Sequence, residues 1–272
     1  MPHYLPNEVP DPDHATCPLL GLAVDAPAPH DSGIHSHRRA QLLYAVSGVL
    51  QISVANRRYV LPPALAAWIP AGLAHSAEAA RPFAYRSLYF DTAVFADLPG
   101  DANILSVGPL LRELVLRAAT WPNAPLDPAQ LRLARVLIDE IRAAPIAPLV
   151  LPLPVDRRLA RIVETLLADP GHPDGLEAFA AMSGASGRTV NRLFHKETGM
   201  GFAAWRRQLT LQEASKRLAM GQTVTRVATD LGYAGESAFI AMFRKATGHT
   251  PGQARWAPPS TGPGRPSRSS RE

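Results

Sequence analysis

Cysteine occurs once in the 272 residues, at Cys17. A lone thiol excludes an internal disulfide framework and any cysteine-rich zinc module. No apolar run approaches the ~18 residues a membrane-spanning helix needs. The longest, Val60 to Ala74, is broken by Pro62, Pro63 and Pro70. The opening stretch, MPHYLPNEVPDPDH, is proline-rich and acidic where a secretory signal would be basic and then apolar. Charged residues reach only 19 %, against 46 % apolar ones, enough to bury a core. A soluble, cytoplasmic protein of one large or two ordinary domains is expected.

Lysine is scarce too, only 3 of the 28 basic residues. A GC-rich coding sequence accounts for that, so the bias toward arginine carries little information. Where the charge lies is more telling. Residues 1–150 hold 11 Arg against 13 acidic residues, and residues 151–272 hold 17 Lys and Arg against 10. The basic excess is confined to the second part, which is the candidate binder of a polyanion.

The change of sign falls at Ala144 to Val155 (APIAPLVLPLPV), with prolines at 145, 148, 152 and 154. Proline lacks an amide proton and keeps its predecessor out of the helical region, so an extended, stiff linker is predicted over 144–155. Residues 258–272 are Pro, Gly, Ser and Arg without an apolar face, and read as a disordered tail.

Ahead of the linker, residues 33 to about 92 read as short strands: Val49 to Val54, a turn at Ala55-Asn56-Arg57, Tyr59 to Leu61, Ala66 to Ile69 and Ala84 to Phe90. Frequent Pro and Gly between them suggest a small barrel or sandwich. Apolar residues then recur at helical spacing over 107–119 and 128–143. Beyond the linker the pattern is helical, starting from a cap at Asp156.

This helical part repeats itself. FAAMSG at 179–184 and LFHKETG at 193–199 return as VATDLG at 227–232 and MFRKATG at 242–248. Each copy places a small residue (Ala180, Ala228) on a short helix, a glycine (Gly184, Gly232) at its end and an aromatic (Phe194, Phe243) late in a second helix. Close crossing of helices needs alanine and a tight turn needs glycine, the requirements of a helix-turn-helix. Asp174 to Glu177 has the spacing of a capping box, and Thr223 can cap the second copy. Between the copies, Phe202 to Met220 predicts a helix long enough to hold both rigidly.

With its closing segment Gly248-His249-Thr250-Pro251, the span 157–256 resembles the DNA-binding domain of the AraC/XylS family of bacterial transcription regulators. The resemblance implies promoter DNA as a partner, contact with RNA polymerase in an activator, and a homodimer. The second helix of each motif is then expected in a major groove. In the first motif Gly187, Arg188, Asn191, Arg192 and His195 are expected to face outward, with Arg188, Asn191 and Arg192 at the family's base-facing positions and Thr189 flanking them. Arginine can hold guanine, and asparagine adenine, with paired bonds. In the second motif Glu236, Ser237, Ile240 and Ala241 take those places, with Arg244 and Lys245 suited to phosphates. Base reading should thus concentrate in the first motif. Arg206 and Arg207 on the linking helix serve as backbone clamps or as a wet face.

In the strand region His35-Ser36-His37 would set two imidazoles on one face of a strand. Gln41 and Gly48 follow, and Pro70-Ala71-Gly72-Leu73-Ala74-His75 adds a third imidazole. These resemble the two cupin motifs, H-x-H-x3-E-x6-G and P-x-G-x2-H. Gln41 departs from the usual Glu, and Ala79 from the usual Asn. His35, His37, Gln41 and His75 can hold a divalent metal such as zinc, nickel or iron, or hydrogen-bond an organic effector. The helices over 107–143 dimerise in the family, and packing onto the barrel explains the same apolar residues.

The fold expected is a two-domain α+β chain: a cupin-like β-barrel with its following helices over 1–143, and an all-α tandem helix-turn-helix domain over 156–257. The function expected is a transcriptional regulator that senses a small molecule or metal. The alternative is a metal-dependent cupin enzyme, an oxygenase or isomerase with a DNA-binding appendage. Gln41 offers such an enzyme neither acid nor base, and no paired carboxylates lie near the histidines in sequence.

Overall fold

The computed structural model describes residues 3–4, 10–26, 29–79, 81–147, 150–247 and 250–252. Residues 258–272 and the pair Gly248-His249 of the closing signature lie outside them. Strands occupy most of the first part: β1 (His3–Tyr4), β2 (Leu19–Ala26), β3 (His30–Asp31), β4 (Ala40–Ser47), β5 (Leu50–Val54), β6 (Arg57–Leu61), β7 (Leu65–Ile69), β8 (His75–Ala79), β9 (Phe83–Phe90) and β10 (Asn103–Ser106). Helices α1 (Pro109–Ala118) and α2 (Pro128–Ala143) follow, then β11 (Val150–Pro152). The remainder is α3 (Arg157–Ala168), α4 (Leu176–Met182), α5 (Gly187–Thr198), α6 (Phe202–Ala219), α7 (Val224–Asp230) and α8 (Glu236–Thr247).

Two sheets, ordered β1-β2-β9-β4-β7-β10 and β11-β6-β5-β8-β3, face each other. Side chains alternate across a strand, and β4 uses both faces. Leu43 and Ala45 enter the shared interior with Ile52, Tyr59 and Ile69, while Leu42 and Tyr44 lie under α1 and α2. Burial on both sides explains why β4 shows no polar alternation. Leu111, Leu114, Val115, Leu137, Ile138 and Ile141 of the two helices pack against that outer face, leaving Leu110 and Val136 exposed. A glycine permits the approach: a β-carbon at Gly21 would lie 2.1 Å from the carbonyl oxygen of Ala118.

The strands expected at 49–54, 59–61, 66–69 and 84–90 are present as β5, β6, β7 and β9, except that Arg57, expected in the turn, already opens β6; β2, β4 and β10 were not marked by alternation. His35-Ser36-His37 is not a regular strand. Only His35 is bridged, to His75, and a bend carries the chain on into β4. The proline-rich stretch is extended but does not hang free. Val150, Leu151 and Pro152 pair with Tyr59, Arg58 and Arg57 of β6. Leu151 at the same time fills the core formed by α3, α4 and α5. Glu197 accepts from the amides of Val155 and Asp156 at 2.7 and 2.9 Å, fastening the far end of that stretch to α5.

Candidate DNA interface and sensor centre

Each turn motif is built as its residues require. Ala180 and Ala228 are buried where the short helices cross their partners, and Phe194 and Phe243 fill the cores beneath. Gly184 (φ 67°) and Gly232 (φ 78°) take the left-handed conformation that lets the chain turn between helices. Thr223 caps α7 by accepting from Arg226 N. Asp174 does not cap α4, contrary to the capping-box spacing. Gly175 stands at the cap position, and Asp174 and His172 turn their carbonyls to the guanidinium of Arg206. That guanidinium is therefore spent on the α3–α4 loop, whereas Arg207 is exposed.

Arg188 and Arg192 lie exposed on α5, with no ion pair among the described residues. His195 is exposed beside them. Gly187, expected outward, is buried. A β-carbon there would meet Glu177 Oε1 at 2.1 Å, so the missing side chain makes room for that carboxylate at the helix N-terminus, where the dipole favours it. Thr189 is half-buried and joins the cap of α5, its amide donating to Ser186 Oγ at 3.3 Å. Asn191 is exposed, yet its Oδ1 accepts from Phe202 N at 2.9 Å. The oxygen that would face adenine is thus turned to the first residue of α6.

On α8, Ser237, Ala241, Arg244 and Lys245 are exposed and Ile240 is half-buried. Glu236 accepts from Thr225 Oγ1 at 2.7 Å. The two motifs therefore place a carboxylate at the same junction from opposite helices: Glu177 reaches from α4 over Gly187, and Glu236 reaches from α8 to Thr225 of α7. Helix α6 spans the gap, with Trp205, Leu209 and Leu218 buried along it. A second tie joins the motifs. Gly171, in the loop held by Arg206, lies against the Asp230 carbonyl, where a β-carbon would be 2.3 Å from its oxygen.

Inside the barrel His35, His37 and His75 converge, with potential ligand atoms within 4.8 Å of one another. His37 and His75 are buried and His35 is exposed. Their Nδ1 atoms face the carbonyls of Arg39 (2.6 Å), Leu73 (2.8 Å) and Gly33 (3.1 Å). A carbonyl only accepts, so each Nδ1 carries the proton, and a ring that is neutral presents its lone pair at Nε2. Burial pushes the His37 pKa down and that of His75 to about 4, which keeps both neutral.

The fourth expected member, Gln41, has Oε1 3.2 Å from His37 Nε2, while its amide nitrogen donates to Ser87 Oγ (2.6 Å) and Tyr89 OH (3.0 Å). Two acceptors thus face each other. A cation between them satisfies both, and so does a half-turn of the amide that exchanges its partners. Three Nε2 lone pairs, with Nδ1 atoms fixed by outer contacts, make a donor set suited to a divalent ion. Sequence reasoning passed over Ser87, Tyr89 and Tyr59, which look like ordinary strand residues until the register turns them inward.

A barrel with imidazoles inside it, joined to two turn motifs on one helix, defines a ligand-responsive DNA-binding regulator. The family described as AraC-like ligand binding domain matches residues 20–178, and a helix-turn-helix domain matches residues 179–256. The chain belongs to the AraC-type transcriptional regulators. It is 35 % identical over 223 residues to the HTH-type transcriptional regulator NimR of Escherichia coli, covering 82 % of this chain and 81 % of that protein. RipA of Corynebacterium glutamicum, another HTH-type regulator, is 36 % identical over 100 residues, 37 % of this chain and 30 % of its own length. Among solved structures, ToxT from Vibrio cholerae aligns over 88 % of this chain and 98 % of its own at 8 % identity, TM-score 0.37.

Proposed function

We propose that this regulator binds promoter DNA as a cytoplasmic homodimer, with α5 and α8 of each subunit in successive major grooves. The reading is supported foremost by Arg188 and Arg192 on α5, both exposed and without an ion pair among the described residues. Arg188 reads a base pair, with Arg192 beside it on a base or a phosphate. Ser237 and Ile240 make the lesser contacts of the second motif, and Arg244 holds phosphate. Thr189, Asn191 and Glu236 act by holding their helices in place. Helix α6, with 18 residues, is roughly 27 Å long at the usual rise. That is close to one DNA turn of ~34 Å, so adjacent grooves suit the two motifs.

Residues 1–143 form the sensor and 156–257 the DNA-binding domain, with the stretch between them docked on both. His35, His37, Gln41 and His75 hold a divalent ion, zinc, nickel or iron, as effector or as an anchor for one. A neutral Gln41 leaves that ion without an anionic protein ligand. The homologues' names support a regulator rather than an enzyme. In an activator, the exposed face of the DNA-binding domain meets RNA polymerase. Footprinting with purified protein on its own and neighbouring promoters tests the reading: protection of two successive major grooves for each subunit is expected, and an unprotected promoter set overturns it.

A further inference from the structure

Tyr59 is 2 % exposed, and its hydroxyl has no hydrogen-bond partner among the described residues. The side chain stands inside the barrel among Ile52, Val54, Ala67, Ile69 and Ile104. The space between them has no room for a water molecule, so solvent does not serve the hydroxyl. An unpaired buried hydroxyl opposes folding, and phenylalanine would fill the same place without it. By register Gln41 lies beside Ile69 and His75 beside Val54, so this tightly packed part of the interior adjoins the imidazole centre.

The strand that carries Tyr59 also carries the DNA-binding half. Gln212 Nε2 on α6 donates to the carbonyl of Arg58 at 3.0 Å. Trp205 Nε1, on the same helix, donates to the carbonyl of Pro152 at 2.6 Å, and β11 pairs with β6 through Val150 and Tyr59. A guest there needs room that the walls must yield, and β6 is the wall bound to the helix joining both motifs.

We propose that the Tyr59 hydroxyl anchors a small, largely apolar effector bearing one hydrogen-bond acceptor, such as a carbonyl, and that β6 passes its arrival to α6. The consequence for DNA rests on the function proposed above; the binding step does not.

The test titrates acetophenone and toluene into the full chain and into Tyr59→Phe by calorimetry, with hydrogen exchange followed along residues 205–218. The native protein should bind acetophenone tighter than toluene by roughly two- to tenfold, the range of one hydrogen bond. Tyr59→Phe should bind the two alike and melt no lower than the native protein. Acetophenone should alter exchange across α6 in the native protein. Failure of both probes to bind, an undiminished preference for acetophenone in Tyr59→Phe, a lower melting temperature for that variant, or unchanged exchange in α6 would each overturn the proposal. No arm involves DNA, so an unprotected promoter leaves these outcomes untouched.

Discussion

The side-chain oxygen of Asn191 accepts from the amide of Phe202, so the first recognition helix caps the helix that follows it. Gly201, at the cap position of α6, has no side chain to serve that end. It also lets the amide approach, since a β-carbon there would be 2.8 Å from Asn191 Oδ1. Asn191→Ala should cost about 1 kcal/mol of stability, the usual value of a lost cap. It should weaken binding equally across DNA sites that differ by single base pairs. Thermal melts and a panel of such sites check this, and a loss confined to one adenine position would return Asn191 to the base readers.

Arg188→Ala is expected to behave in the opposite manner. Its side chain is exposed and without an ion pair among the described residues, so stability should hardly change. Affinity should fall by ~1–3 kcal/mol, and discrimination at one base pair should relax. Uniform weakening in the same panel would mark it as a phosphate contact.

Gly171→Ala should separate the motifs without touching either reading surface. The added carbon would sit 2.3 Å from the backbone oxygen of Asp230, which has no easy way to retreat. Such overpacking costs ~1–3 kcal/mol. Binding to a site with both half-elements should suffer, while contact with the first half-element alone is retained, as competition between the two probes would reveal.

Gln41→Glu would supply the anionic ligand that the imidazole centre lacks. Ser87 and Tyr89, which now meet the amide nitrogen, can turn their hydroxyls to donate to a carboxylate. Affinity for zinc or nickel should rise, measured by competition with a chromophoric chelator, and His75→Ala should lower it. If neither substitution alters metal uptake, the imidazoles serve an organic ligand alone.

Cys17 should resist alkylation in the native protein. It is 1 % exposed, and burial pushes its thiol pKa up, which lowers the thiolate fraction at neutral pH. Iodoacetamide labelling should therefore follow unfolding, as mass spectrometry across a denaturant series would show.

The helical part was largely legible because its signals are local. Alanine at a crossing, glycine after it and an aromatic one helix later mark a turn motif without knowledge of any distant contact. Which polar atoms remain free was not legible: Asn191 and Arg206 meet backbone groups 11 and 34 residues away, and no spacing marks such a pairing. In the barrel, Gly48 and the imidazoles stood out by interval, yet β2 and β4 did not, since burial on both faces erases alternation. Tyr59 became notable only because its hydroxyl lacks a partner among the described residues.

Strand β11 joins two cores: it pairs with the barrel, against whose interior Val150 packs, while Leu151 seals the first turn motif. A DNA-binding fragment cut at Asp156 would lose that plug and the acceptor for Trp205, and should precipitate or melt early. A chimera that exchanges one sensor for another must likewise carry residues 150–152 with their own barrel or rebuild the seam, because the boundary between the halves runs through a strand that both own.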